Sequence, residues 1–395
     1  MLPGSTRPAT RPHAMPSFDE SPFILFWETT RACDLACKHC RACAVPSRDP
    51  RELTTAEGRA LLREAAALGT KLVVLTGGDP AKRPDLVELV EYGAGLGIRM
   101  ALTPSATPLV TRDWLAELRK VGLARLAISV DGSKAATHDR FRGVVGSWER
   151  SHAILCDARE LGLTTQVNTS VCPENLEELP LLATQLAALD IELWSVFFVV
   201  PTGRATGMTP LSAEAVESVL EWLEVLVRRS PFDVKTTAAP QFRRVLLQKK
   251  HERDDIVGLR SLQRSPRLSS TSVKPAESPS ESTELPAGLT DGIGRSPRGV
   301  NDGQGVVFVS HVGEIQPSGF LPIVAGNVRM EGLSRTYRES PLFKALRDTD
   351  QLGGKCGRCE FRKVCGGSRA RAHAVTGDVL AEDPSCTYQP RRKAS

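Results

Sequence analysis

From residue 23 to about residue 230, short apolar runs alternate with stretches whose apolar residues recur every three to four positions. The continuous runs read as buried strands at Phe23–Trp27, Leu72–Leu75, Ile98–Leu102, Leu126–Val130, Thr165–Val171 and Leu193–Val199. The helical spacing between them predicts helices at Thr54–Leu68, Pro84–Tyr92, Arg112–Val121, Trp148–Leu161, Leu176–Leu189 and Ser212–Val227. Thr54 followed by Glu57 is a helix start in which each side chain can satisfy a backbone N–H of the other. Six strand–helix units in series demand a mostly parallel sheet, because parallel neighbours need a crossover between them. No Gly-x-Gly-x-x-Gly follows the first strand, so a partial (βα)6 TIM-like barrel over residues 21–235 fits this α/β pattern better than a dinucleotide-binding sheet.

Outside that span the pattern changes. Residues 1–20 carry Pro3, Pro8, Pro12 and Pro16 and no apolar core, and read as a disordered tail with no signal peptide. Residues 236–258 read as a helical connector. Residues 259–303 are rich in Ser, Pro and Thr and too poor in apolar surface to offset their conformational entropy, so a disordered insert is expected. Apolar character returns at Gly305–His311 and opens a small cysteine-bearing domain over 304–395. No apolar run approaches a membrane span. The net charge of +5 is spread among interleaved acidic and basic residues, which argues against nucleic acid. A cytoplasmic location is expected.

The ten cysteines alter this plain picture. Seven fall in two short-spaced groups, with Cys386 trailing the second, which points to metal or redox chemistry and not to a disulfide framework. Cys33-x3-Cys37-x2-Cys40 follows the first strand, at the end where βα barrels carry their active-site loops. Three thiolates can hold three irons of a 4Fe–4S cluster and leave one iron open. A zinc ion, with His39 or Cys43 as fourth ligand, is the alternative. Cys356-x2-Cys359-x5-Cys365-x20-Cys386 supplies four thiols, enough to close either a zinc site or a cluster. Cys43, Cys156 and Cys172 have no assigned role, and the last two read as packed thiols.

The stretch WETTRACDLACKHCRA resembles the signature of the radical SAM superfamily, and Thr76-Gly77-Gly78-Asp79-Pro80 looks like that family's Gly-Gly-Glu-Pro motif with Asp in place of Glu. The resemblance implies a 4Fe–4S cluster on Cys33, Cys37 and Cys40, and S-adenosylmethionine chelated to the open iron. On the same basis Gly77, Gly78 and Asp79 would meet the amino group of the cosubstrate, Ser129 and Asp131 its ribose, and His39 its adenine. Reductive cleavage would then give a 5′-deoxyadenosyl radical that abstracts a hydrogen atom, with the electron coming from a donor such as ferredoxin or flavodoxin. The segment GKCGRCEFRKVCGGSRARAHAVTGDVLAEDPSC is similar to SPASM and twitch tails, which implies an auxiliary cluster on Cys356, Cys359, Cys365 and Cys386. Ser318 stands where a full SPASM domain has a further Cys, so one auxiliary cluster is expected.

Pro201-Thr202-Gly203-Arg204, the PSGFLP run and CGGSRARA look like the branch that matures haem and haem d1. The leading expectation is therefore a radical enzyme acting on a tetrapyrrole carboxylate side chain, with Arg204, Arg369 and Arg371 as candidate partners for propionates. A maturase of ribosomally made peptides is the second reading. A non-catalytic zinc scaffold is the third.

Overall fold

The computed structural model describes residues 17–263 and 299–391, with the side chains of 254–263 excepted. Residues 1–16 of the expected tail and 264–298 of the expected insert lie outside the described residues. Seven strands run in parallel in chain order: β1 (Ile24–Thr30), β2 (Leu72–Gly77), β3 (Arg99–Leu102), β4 (Leu123–Ser129), β5 (Thr165–Val171), β6 (Leu193–Phe198) and β7 (Asp233–Thr237). After β7 the chain returns to the other edge. There β8 (Val306–Val309) pairs in parallel with β1, in the register Ile24 with Val306 to Trp27 with Val309. The strands β9 (Glu314–Gln316) and β10 (Gly326–Asn327) then extend the sheet in antiparallel fashion. Among the described residues no pairing joins β7 to the opposite edge, so the barrel stays partly open, as the sequence predicts.

The expected strands and helices are present with ends shifted by a few residues. The Thr54 and Glu57 side chains exchange the anticipated bonds at the start of the helix Thr55–Ala67. That helix lies over β1, where Gly58 leaves room for the wholly buried Trp27 ring; a Cβ there would come within 2.5 Å of it. Burying a side chain of this size is worth roughly 2–3 kcal/mol. One core runs from Leu25 and Trp27 through Leu126 and Trp194 to Val307, Ile315, Tyr337 and Phe343. The C-terminal part from β8 onward is thus packed into the barrel and is continuous with it.

Four expectations need correction. Strand β7 replaces the first residues of the expected connector; its polar sequence, Asp-Val-Lys-Thr-Thr, gave no strand signal, and the sheet edge orders it. The following helix, Gln241–Gln263, runs into the expected insert. Residues 299–303 are also placed, because Asn301 Nδ2 donates to the Gly367 carbonyl (2.8 Å) and Asp302 accepts from the Ala370 N–H (2.9 Å). Residues 17–20 of the expected tail are tied down too: the Tyr337 hydroxyl donates to the Phe18 carbonyl (2.6 Å), and Arg338 to that of Glu20 (3.0 Å).

A buried polar joint closes the same seam. Glu28, on β1, is fully buried and receives His311 Nδ1 (3.0 Å), Arg41 Nη1 (3.2 Å) and Arg31 Nε (3.3 Å). Burial alone would raise the carboxyl pKa, but the His311 hydrogen bond and the two guanidinium charges outweigh it and hold the group at about 2. Because the folded value lies below the ordinary 4.5, the resulting stability is complete above pH 4.5 and is lost as pH falls through 2. Glu28→Gln is expected to cost about 3 kcal/mol near neutral pH, the scale of breaking a buried charge pair. Urea unfolding of the two proteins at a series of pH values should show this gap closing between pH 4.5 and 2; a gap independent of pH would contradict the assignment.

Candidate functional site

The loop after β1 carries Cys33, Cys37 and Cys40, and its backbone is fixed from three sides. The Gly78 and Asp79 N–H groups donate to the Thr30 and Ala32 carbonyls (2.8 and 2.7 Å). Ala36 and Lys38 N–H groups donate to the Arg142 and Phe141 carbonyls (3.2 and 3.0 Å), and the Arg204 N–H donates to the Cys40 carbonyl (3.0 Å). The loops that follow β2, β4 and β6 therefore all grip the cysteine loop. Close approach requires glycine after β2: a Cβ on Gly77 would run into the Thr30 carbonyl, and one on Gly78 would lie 2.5 Å from the Ala32 carbonyl oxygen.

All three thiols line one cavity of about 590 Å³ that occupies the barrel interior. Gly77, Gly78, Ser129 and His39 line it with them, so the structure brings these expected site residues together. Asp79 and Asp131 are placed differently. The Asp79 carboxylate is buried and turned inward, accepting from the Thr107 hydroxyl (2.7 Å) and the Ser105 and Ala81 N–H groups (3.2 and 3.1 Å). It shapes the turn and is not among the residues that line the cavity. Asp131, also fully buried, accepts from Arg142 Nε (2.6 Å) and the Ser170 N–H (2.7 Å). It aims Arg142, whose Nη1 lies 3.8 Å from Cys37 Sγ.

Sequence reasoning missed Arg142 because no element was predicted between Val130 and Trp148, where the structure has the helix Ala135–Arg142. Its signal was Gly143, which closes that helix in the left-handed conformation (φ 73°) that glycine favours. Arg41 was missed as well. It lines the cavity with its guanidinium 4.5 Å from the centre of the Phe308 ring and is held there by Glu28.

The electrostatics of the loop differ among the three thiols. Burial raises the pKa of Cys33 and Cys37. At Cys40 burial is outweighed by the Ala44 N–H and by the Arg204 guanidinium, and the pKa is lowered. His39 is stacked on Phe141 at 4.4 Å between ring centres. Burial, with Arg142 and Arg204 nearby, pushes its pKa well below the ordinary value, so the imidazole is neutral. Thiols with N–H donors on their sulfurs and arginines beside them fit the anionic demands of an iron–sulfur cluster.

The four later cysteines lie in the C-terminal region. Cys356 lies in the helix Gly354–Arg358, and charge on Cys386 is felt at both Cys359 and Cys365. The Asp383 and Gly367 N–H groups donate to Cys356 Sγ and Cys365 Sγ, each at 3.4 Å. Burial, with neighbouring negative charge, pushes Cys359 to about 11 and Cys365 to about 12, so binding a metal here must displace protons. Among the described residues no three His, Cys, Asp or Glu side chains are grouped for a single metal ion. Arg369 and Arg371, expected to meet substrate carboxylates, are instead buried within this region. Arg371 donates to the Ser385 hydroxyl (3.0 Å) and the Phe198 carbonyl (3.3 Å). Ser318 lines the cavity beside Phe320.

The profile of the radical SAM superfamily matches residues 27–186, from β1 past β5. The chain is 36% identical over 380 residues to the AdoMet-dependent heme synthase of Methanosarcina barkeri, covering 96% of this chain and 100% of that one. It is 37% identical over 373 residues to the protein of the same name from Oleidesulfovibrio alaskensis, covering 94% and 88%. Among solved structures, Streptococcus suis SuiB bound to S-adenosylmethionine shares the fold with a TM-score of 0.68 at 16% identity, over 93% of this chain and 78% of that one. These relatives are enzymes, which overturns the reading of the chain as a non-catalytic zinc scaffold. Since this likeness runs along nearly the whole chain and three thiols of one loop line the same cavity, the chain belongs to the radical SAM superfamily, whose members use a 4Fe–4S cluster and S-adenosylmethionine.

Proposed function

We propose that this enzyme modifies a carboxylate side chain of a tetrapyrrole, by decarboxylation or side-chain removal, in the making of haem. One observation carries the reading furthest: Arg204 lines the cavity shared by the three thiols, and its Nε and Nη2 have no hydrogen-bond partner among the described residues. A guanidinium with buried, unspent donors beside a cavity is a receptor for a carboxylate. Arg41, already anchored by Glu28, places a second positive charge on the same wall. The names of the two full-length relatives agree with a haem-forming reaction.

Cys33, Cys37 and Cys40 would hold the catalytic 4Fe–4S cluster, and Cys356, Cys359, Cys365 and Cys386 an auxiliary one. When bound, the catalytic cluster and S-adenosylmethionine supply one-electron reduction and a hydrogen-abstracting carbon radical, with a small donor such as ferredoxin or flavodoxin as the electron source. The chain's own residues position the reactants and exclude water. Gly77 and Gly78 keep side chains out of the approach to the cysteine loop. Asp131 fixes Arg142 beside Cys37. Neutral His39 presents a flat face braced by Phe141. The barrel strands wall the cavity with Phe26, Val74, Ala127, Phe197 and Phe308, which limits access by solvent and oxygen.

Two outcomes follow. Cys40→Ala should abolish 5′-deoxyadenosine formation by the reduced, reconstituted protein, whereas Cys386→Ala should retain part of it and chiefly impair substrate turnover; chromatography of the nucleoside products decides. Full cleavage by Cys40→Ala would refute the assignment of the catalytic loop. Arg204→Ala should raise KM for a carboxylated iron porphyrin roughly tenfold or more, the scale of a lost charge-assisted hydrogen bond. Esterifying the porphyrin carboxylates should remove the difference between the two proteins, and a difference that survived esterification would exclude Arg204 as the carboxylate receptor.

A further inference from the structure

Arg369 opens the short helix Arg369–Thr376 and is only 1% exposed. Its Nε donates to the Gly367 carbonyl (3.3 Å), and its Nη1 to those of Val379 (3.1 Å) and Ala381 (2.7 Å). Its Nη2 points at Cys356 Sγ, 3.7 Å away. The nearby Asp383 carboxylate is occupied elsewhere, by Arg371 (3.5 Å), Gln241 (2.7 Å) and the Ser368 N–H (2.7 Å). Carbonyls solvate the guanidinium but do not neutralise it, and a buried cation without a counter-charge is costly. The sulfur of Cys356 is what its remaining donor faces. The contact is built at close quarters: a Cβ on Gly367 would lie 2.6 Å from Arg369 Nη2 and 2.9 Å from Cys356 Sγ, and Gly367 has φ +66°. The Asp383 N–H reaches the same sulfur at 3.4 Å.

We propose that Arg369 is a positioning residue that raises the reduction potential of the iron–sulfur cluster held by Cys356, Cys359, Cys365 and Cys386. The proposal rests on the reading that these four thiols carry a cluster. Reduction adds negative charge that is shared with the ligand sulfurs. A fixed cation and an N–H donor on one of those sulfurs stabilise the reduced state more than the oxidised one, and the low-dielectric surroundings leave that difference unscreened.

The test uses full-length protein in which Cys33, Cys37 and Cys40 are all Ala, so that only the second cluster gives a signal. The parent should hold four irons per chain, as four Cys ligands require. Redox titration followed by electron paramagnetic resonance should then show that Arg369→Gln lowers the reduced-to-oxidised ratio at a fixed poise about tenfold, or about 59 mV for one electron. Arg369→Lys, which keeps the charge and loses the fork, should fall between the two. Equal potentials in three iron-replete proteins would overturn the proposal. Should the Gln and Lys proteins fail to assemble the cluster, the parent labelled with 15N-arginine decides: a guanidinium nitrogen hyperfine coupling at the reduced cluster is expected, and its absence overturns the proposal. A parent that holds no iron, beside a wild-type chain that holds only the catalytic cluster, would remove the auxiliary cluster and the proposal with it.

Discussion

The cysteine loop after β1 depends on backbone hydrogen bonds from the segments that follow β2, β4 and β6. The peptide groups of Gly78 and Asp79, of Phe141 and Arg142, and of Arg204 each engage the stretch from Thr30 to Cys40. These loops are distant in sequence and meet only because the parallel strands β1, β2, β4 and β6 deliver their carboxyl ends to one rim of the barrel. The sheet therefore sets where the three thiols stand. Bonds of this kind net only about 1 kcal/mol each, but together they leave the loop few alternatives. A site on rigid elements holds its geometry better than one on a free loop.

The second organising feature is the placing of positive charge around sulfur. Arg142 approaches Cys37, Arg204 approaches Cys40, and Arg369 approaches Cys356. Each guanidinium is held differently. Arg142 is fixed by the Asp131 carboxylate, Arg369 by three carbonyls, and Arg204 keeps unspent donors. The differences separate their roles: a cation already paired with a carboxylate is a fixed fixture of the loop, while one with free donors is available to a substrate. Glu28 adds a further layer, because its grip on Arg41 and His311 links the catalytic loop to the C-terminal part across the β1–β8 seam.

Much of this was legible in the sequence. Apolar runs marked six strands because most of their residues are buried, and the spacing of Cys33, Cys37 and Cys40 marked the loop whose thiols line the cavity. What escaped was governed by tertiary contact. Strand β7 is polar and ordered by its neighbour. Phe18 and Asn301 lie in stretches of tail-like or insert-like composition, yet each satisfies a specific partner far along the chain. Asp79 and Asp131 sit at the right strand ends, but their carboxylates are spent inside the protein, on the turn after β2 and on Arg142. Arg369 and Arg371 were expected to meet substrate carboxylates, because composition cannot reveal that a cysteine-rich segment folds around them.

In the proposed reaction a radical formed beside the three thiols acts on a tetrapyrrole carboxylate side chain. The most direct measurement is mass spectrometry of the tetrapyrrole after anaerobic incubation of the reduced, cluster-loaded protein with S-adenosylmethionine and an iron porphyrin bearing propionates. The account predicts a product that has lost carbon dioxide or the whole carboxylate side chain, formed only when S-adenosylmethionine is consumed. Porphyrins recovered unchanged, beside a peptide substrate that acquires a new cross-link under the same conditions, would contradict it.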